Sequence, residues 1–321
     1  MKNIFCSIIV PMFNEANNLE SCLNALKNQI YKNFEVIFID DGSTDNTVEK
    51  LTKLLKNQIN FSYKILQQSN KGAAAAREKG IVIAKGEYIC LLDCDDELSS
   101  DALDKAIMSI CQYNADISMF QLYNQDSAGT YHKFNFFDQG RLLYNGFECL
   151  INSLGEWKVH GLVVCKKKIF IKSYQLYKKY NKEDINFLNN DEVITRLNFF
   201  NAKVVVRNEG IYYYKFNNNS TSKRINPNRH LLLHNCIIMH DLFKEIDSSI
   251  HSNIDRELFK NLSDIIKYYL KNKKEIYNKQ EWKKTIKLAT TEVFKQGIFW
   301  KLTIKTKLKF FRRLFKTLYN K

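Results

Sequence analysis

Residues 87–98 read EYICLLDCDDEL, an apolar run that stops on three carboxylates. Residues 88–92 have the length and near-continuous apolarity of a strand buried on both faces. Asp93, Asp95 and Asp96 are therefore expected at its carboxyl end, where open α/β sheets bind ligands. Carboxylates crowded into one loop repel one another unless something positive sits among them, and their hard oxygens suit Mg²⁺ or Mn²⁺ better than a soft metal. A divalent ion that also holds a diphosphate would satisfy them. A lone D-x-D-D can equally be a solvated turn capping a helix that starts near Ser99, so the flanking sequence has to decide.

Upstream, residues 5–10 read as a buried strand ended by Pro11, and Leu19, Cys22, Leu23 and Leu26 fall at helical spacing within residues 15–28. Residues 34–39 form a second strand that also ends on acid, at Asp40 and Asp41. Residues 42–45 supply turn and N-cap chemistry for a helix through Lys56, with Val48, Leu51, Leu54 and Leu55 on its buried face. Residues 61–66 are a third strand. Asn70-Lys71-Gly72 turns into the alanine run 73–76 and Arg77, in a helix expected to end near Gly80 or Gly86. Strand and helix alternating in this way predict a mostly parallel sheet with helices on both faces. Right-handed crossovers bring residues 11–15, 40–43, 70–77 and 93–96 to one edge. Two acidic strand ends, an aromatic at Phe13 and a single arginine suit a nucleotide with a metal ion.

These motifs, SIIVPMFNE, IDDGSTDNT, NKGAAAAR and GEYICLLDCDDEL in that order, resemble the family 2 glycosyltransferases of GT-A fold. The resemblance implies an inverting transfer of a sugar from a nucleotide diphosphate sugar, usually uridine-linked, to an acceptor hydroxyl. It assigns base and ribose to Pro11, Phe13, Glu15, Asp40 and Asp41; Arg77, counted with the nucleotide-sugar residues, can meet phosphate or pair with a helix neighbour. The D-x-D element carries over to Asp93, Asp95 and Asp96, the metal role falling to Asp95 and Asp96. The segment from Asn190, NDEVITRLNFF, followed by a strand and the tyrosine-rich IYYYKFNNNSTS, is similar to the family's acceptor-side element. An inverting displacement needs a base near the acceptor hydroxyl, and the resemblance places it at Asp191, with Glu192 next and Asp184 third.

The rest is less legible. Residues 115–123 read as a strand that closes the sheet, 131–137 as an extended aromatic segment, 146–154 as a helix and 162–165 as a strand. Val159-His160-Gly161 stands where the family often has a Trp-containing segment, and His160 reads as a core or loop histidine. His230 and His234 lack a third ligand. From about Pro227 the composition turns helical, with stripes at Leu231, His234, Ile238, Leu242 and at Phe259, Leu262, Ile266, Tyr269. The expected division is residues 1–226 for the glycosyltransferase domain, with a nucleotide half at 1–98 and an acceptor half at 99–226, and 227–321 for a helical basic region.

Eight scattered cysteines with no C-x-x-C pair fit a reducing compartment and argue against a disulfide framework. The amino terminus lacks signal-peptide form and no apolar run reaches the roughly 18 to 20 residues that span a bilayer, so a cytoplasmic enzyme is expected. The net charge is +15, and residues 271–321 hold sixteen lysines and arginines against three glutamates. Within 299–321, Trp300, Ile304, Leu308, Phe311, Phe315 and Leu318 fall in a stripe about 80° wide on a helix, with cations beside it. That pattern suits an anionic membrane surface on the inner face of the plasma membrane, or packing on the protein's own core; nucleic acid would have no use for the stripe. The acceptor expected is a glycan or lipid-linked glycan. A sugar-nucleotide pyrophosphorylase would want a Gly-rich basic loop after the first strand, where PMFNEANN stands. The intact acids argue against a non-catalytic basic adaptor.

Overall fold

The computed structural model describes residues 3–56, 59–182, 185, 187–217, 225–246 and 248–319. β1 (Cys6–Met12), α1 (Leu19–Lys27), β2 (Phe34–Asp40), α2 (Thr47–Leu55), β3 (Ser62–Gln67), α3 (Ala73–Ile83) and β4 (Tyr88–Leu91) follow the expected alternation. The four strands are parallel in the order β3-β2-β1-β4. Every residue of β1 and β2 is buried, as continuous Val/Ile/Phe runs require when helices cover both faces. α1 starts four residues later than its apolar spacing suggests. The amides of Glu15 and Ala16 are taken by Thr47 and Asp45, so residues 15–18 form a turn tied to the neighbouring loop.

After the acidic loop come β5 (Glu97–Leu98), α4 (Ala102–Tyr113), β6 (Ile117–Gln125), β7 (Tyr131–Lys133) and β8 (Leu143–Tyr144). Then follow α5 (Gly146–Ser153), β9 (Val163–Lys166), α6 (Lys167–Tyr180), α7 (Asn190–Asn201) and β10 (Val205–Tyr214). The sheet order is β3-β2-β1-β4-β9-β6-β10-β5, with β7 on β6 and β8 on β10. β6, expected to close the sheet, lies inside it, because the short β9 inserts antiparallel between β4 and β6 while β10 adds parallel on the other side. A four-residue strand carries no periodicity that names its partners. The result is an α/β fold of GT-A type, parallel through its nucleotide half and mixed beyond.

β10 breaks register between Arg207 and Ile211. The bulge is held by the Gly210 amide on Asn208 Oδ1 (2.7 Å) and the Ile211 amide on Ser99 Oγ (3.0 Å). A Cβ on Gly210 would come within 2.7 Å of the Ala102 Cα, so only glycine lets the strand approach the start of α4 this closely. Bulges re-aim side chains, and this one directs the last residues of β10 to the acidic loop.

The chain divides into two compact units. The first comprises residues 1–153, 157–177 and 194–217 and contains the whole sheet; the second comprises 154–156, 178–193 and 218–321. The second unit holds α8 (Leu232–Ile246), α9 (His251–Asn272), α10 (Lys279–Lys295) and α11 (Ile304–Leu318). Its core gathers around the fully buried Trp282 with Leu262, Ile266, Tyr269, Ile286 and Phe299. The stripe on α9 is the buried one, with Phe259 packed against it. On α8 the inward side chains are Leu233, Cys236, Met239, Leu242 and Phe243; of the expected stripe Leu242 is buried, while Leu231, His234 and Ile238 are partly covered. α11 buries Phe310, Leu314 and Thr317, a different face from the stripe read in the sequence. Among the described residues no helix is long and apolar enough to cross a membrane.

Candidate active site

The ends of β1, β2, β3 and β4 are bonded to one another. The Asp41 amide donates to the Met12 carbonyl (2.8 Å) and the Gln68 amide to the Asp40 carbonyl (2.9 Å). Asn14, with φ 58°, donates its amide to Ser43 Oγ (2.9 Å) and accepts the Thr44 amide on Oδ1 (2.8 Å). Arg77 Nη2 lies 2.6 Å from Asp93 Oδ1. Residues 11–15, 40–43, 70–77 and 93–96 thus meet on one sheet edge, as the crossover rule requires.

The two acids that end β2 differ. Asp41 is committed to the next loop: it accepts from the Lys71 amide (2.8 Å), the Gly72 amide (2.7 Å) and Gln68 Nε2 (2.8 Å). Gly72 holds φ 87° there, a conformation that side chains disfavour. Asp40 accepts only long bonds from the Ser43 amide, at 3.3 and 3.4 Å, and so keeps acceptor capacity. Pro11 is buried in β1, whereas Phe13 is 44% exposed.

The acids after β4 are held in three ways. Asp93 pairs with Arg77, and Asp95 Oδ2 accepts from the neutral Asn217 Nδ2 at 2.9 Å. Asp96 is 1% exposed, its Oδ2 accepting from Tyr212 Oη (2.8 Å) and its Oδ1 from the Lys215 amide (2.8 Å). Burial, then the charges of Asp93 and Asp95, push the Asp96 carboxyl up to about 8 against the pull of those two bonds. Glu15 is raised to about 7, first by burial and then by Asp95, Asp93 and Asp45, against its bond from Asn18. Both carboxyls are thus raised by burial and by the carboxylates crowded around them.

Tyr212, Lys215, Asn217 and Asn14 bond to the acids or to the loop beside them, and sequence reasoning did not single them out. The tyrosine-rich strand was visible, but which tyrosine reaches the acids depends on the bulge at 207–211. Lys215 Nζ also bonds Ser21 Oγ (2.9 Å) and pairs with Glu97. In the second unit, Asp191 is exposed in the first turn of α7 and accepts the Glu192 amide (3.0 Å). The buried Asn235 fixes that helix start through Asn189 Oδ1 and Asn190 Oδ1, both at 2.9 Å. Asp184 lies outside the described residues. His160 is buried edge-on to Phe134 and lowered to about 4, mainly by burial. His230 bonds Thr285 and His234 stacks on Phe187. Cavities of about 550 and 480 Å³ open at the opposite end of the strands, around Glu87 and Lys166, away from the acids.

Residues 7–165 match the family model for Glycosyl transferase family 2. Residues 7–165 form a family 2 glycosyltransferase domain. This glycosyltransferase is 29% identical to Glycosyltransferase GlyG of Streptococcus pneumoniae over 221 residues, 65% of this chain and 70% of that protein. It is 36% identical to the Amylovoran biosynthesis glycosyltransferase AmsB of Erwinia amylovora over 113 residues, 34% of this chain and 37% of that one. Among solved structures, S. aureus TarS 1-349 in complex with UDP is similar with a TM-score of 0.64 at 16% identity, covering 98% of this glycosyltransferase and 89% of that chain. At that identity the likeness speaks for the fold.

Proposed function

We propose that the enzyme transfers a sugar, with inversion, from a UDP-sugar to a hydroxyl of a glycan or lipid-linked glycan in surface-polysaccharide synthesis, using Mn²⁺ or Mg²⁺ at the cytoplasmic face of the membrane. The observation that carries the reading is the acid loop, in which Asp93 pairs with Arg77, Asp96 is held by two buried bonds and Asp95 is partly exposed. Relatives named for glycosyl transfer and for amylovoran biosynthesis, and a similar structure solved with UDP, favour the donor and pathway class.

Asp40 accepts the uracil ring N–H, a charge-assisted bond in a nearly dry position, and Phe13 covers the ring. Asp41 shapes the 68–72 loop that encloses the nucleotide. Arg77 sits where it can share itself between Asp93 and the diphosphate. Among the described residues no group of three or more His, Cys, Asp or Glu side chains is placed to hold a metal ion. The oxygens of Asp95 and Asp96 fit an ion of the Mg²⁺ type, which takes one or two carboxylates and completes its shell with water and substrate phosphates. Asp95 would hold it directly; Asp96, deeper and doubly bonded, stands behind. When bound, such an ion neutralises charge developing on the departing diphosphate. Asp191 takes the proton from the acceptor hydroxyl, on a helix start fixed by Asn235.

The test is hydrolysis and calorimetry with UDP-, GDP- and CMP-sugars, with and without metal. The wild type should prefer UDP-sugars with Mn²⁺ or Mg²⁺, and Asp95→Asn should lose turnover and metal-dependent UDP binding while remaining folded. Unchanged UDP binding with Mn²⁺ in that variant would overturn the metal assignment.

A further inference from the structure

α11 has two apolar faces. Phe310 and Leu314 enter the core of the second unit with Ile298 and Phe299, and Thr317 is buried beside them. The other face carries Ile304, Leu308, Phe311, Phe315 and Tyr319, continued by Trp300 from the preceding turn, and these six are 47 to 76% exposed. Contiguous apolar rows of this size on a surface mark an interaction site. Deleting residues 299–321 would open the core, so it cannot report on the outer face alone.

The row is preformed. Phe311 stacks edge-on against the buried Phe299 at 5.0 Å, and Phe315 lies 5.1 Å from Tyr319. Lys307 Nζ bonds the Trp300 carbonyl (3.1 Å), and Lys301 is tied to Asp255 of α9 (2.8 Å). A rigid platform loses little conformational freedom on docking.

Charge identifies the occupant. Residues 298–319 contain seven lysines and arginines and no carboxylate. At 100° per residue, Arg312, Lys305, Lys316 and Lys309 run beside the row at roughly 60 to 120° from its centre, and the packed face lies beyond Lys307 on the other side. A second copy would set these cations against their like. Nucleic acid would meet the cations but leave the row in water. An anionic bilayer surface satisfies both, the apolar row entering the headgroup and acyl boundary and the cations meeting lipid charge. We propose that this outer face of α11 with Trp300 is a docking surface for anionic lipid, which deepens the membrane location suggested above by naming the residues that make it. Lipid docking requires no turnover, so its failure and that of the enzymatic reading are separable.

The full-length protein is tested by sedimentation with vesicles of phosphatidylcholine alone and of equal parts phosphatidylcholine and phosphatidylglycerol. Binding should need the anionic lipid and fall with salt, since screening shortens the reach of surface charge. Ile304→Ser/Leu308→Ser/Phe315→Ser, all at exposed positions, should weaken binding at least tenfold with unchanged thermal unfolding and UDP-sugar hydrolysis. Each neutralisation among Lys305, Lys309, Arg312 and Lys316 should weaken it roughly fivefold. No binding at low salt, equal binding to neutral vesicles, or full binding by the triple-serine variant would each overturn the proposal. So would self-association of the wild type that the triple-serine change abolishes without any lipid effect.

Discussion

Tyr212 offers the sharpest test of how the acid loop is held. It is fully buried, and its hydroxyl accepts the Asp93 amide at 3.2 Å while donating to Asp96 Oδ2 at 2.8 Å. Tyr212→Phe keeps the ring and removes both bonds, leaving a backbone donor and a buried carboxyl each one partner short. An unsatisfied buried group costs roughly 1–3 kcal/mol, and the 3.2 Å bond is the weaker of the two, so a loss of about 2–4 kcal/mol is expected. The tyrosine bond also pulls the Asp96 carboxyl down against burial and the charges of Asp93 and Asp95. Without it Asp96 should rise further, and Asp93 and Asp95, on the same turn, should lose their placement. Misplacement by an ångström can cost on the order of 10²-fold in rate. Urea unfolding gives the stability change, provided the denaturant slope is unaltered, and UDP-sugar hydrolysis with Mn²⁺ gives the rate. If the phenylalanine variant matches the wild type in both, Tyr212 is mere core filling and β10 does not hold the loop.

Asp191→Asn should slow transfer by about 10²-fold or more, as loss of a general base does, with UDP affinity by calorimetry unchanged; wild-type turnover would move the role to Glu192. Asp41→Ala, which deletes three bonds to a buried carboxylate, should destabilise by roughly 3 kcal/mol or more. Asp40→Asn should instead weaken UDP binding with little change in unfolding, and the opposite pattern would exchange the two roles. His240 lies 3.1 Å from Asp255 and 3.8 Å from Asp241. Burial opposes its protonation, but these carboxylates outweigh it and raise its pKa. A raised histidine stabilises fully below its unfolded value of about 6.5 and loses that contribution as pH rises through the higher folded value. His240→Gln should therefore flatten the fall in Tm between about 6.5 and that higher value, and an unchanged slope would refute the assignment.

The nucleotide half was legible because its information is local. Continuous apolar runs such as SIIV and VIFI allow only buried strands, each ends on its own acid or turn, and handedness alone then aligns the four ends. Asp96 shows where that legibility stops. Its partner Tyr212 lies 116 residues away and is aimed by a bulge whose only trace in the sequence is Gly210. Nothing in DCDDEL distinguishes the acid that is supported from the one that is presented. α8 was legible only in part, for a related reason. Leucines and isoleucines lie nearly all round it, so periodicity found the buried Leu242 but not Leu233, Cys236, Met239 and Phe243, which the core also takes.

The opening motif posed an electrostatic question: what positive group makes three crowded carboxylates tolerable. Arg77 answers it for Asp93. For Asp96 the answer is burial with two donated hydrogen bonds and a carboxyl displaced to about 8, so that much of its charge is absent at neutral pH. Asp95 remains, facing the neutral amide of Asn217. Its neighbours have their partners within the chain, and Asp95 is the partly exposed carboxylate between them. A cation arriving with a diphosphate would find one carboxylate presented and a second behind it whose proton it could displace. Arg77 beside them could turn from Asp93 to the phosphate without leaving the site. On this reading the loop is balanced to accept ion and donor together, and Asp95 is the residue on which that balance turns.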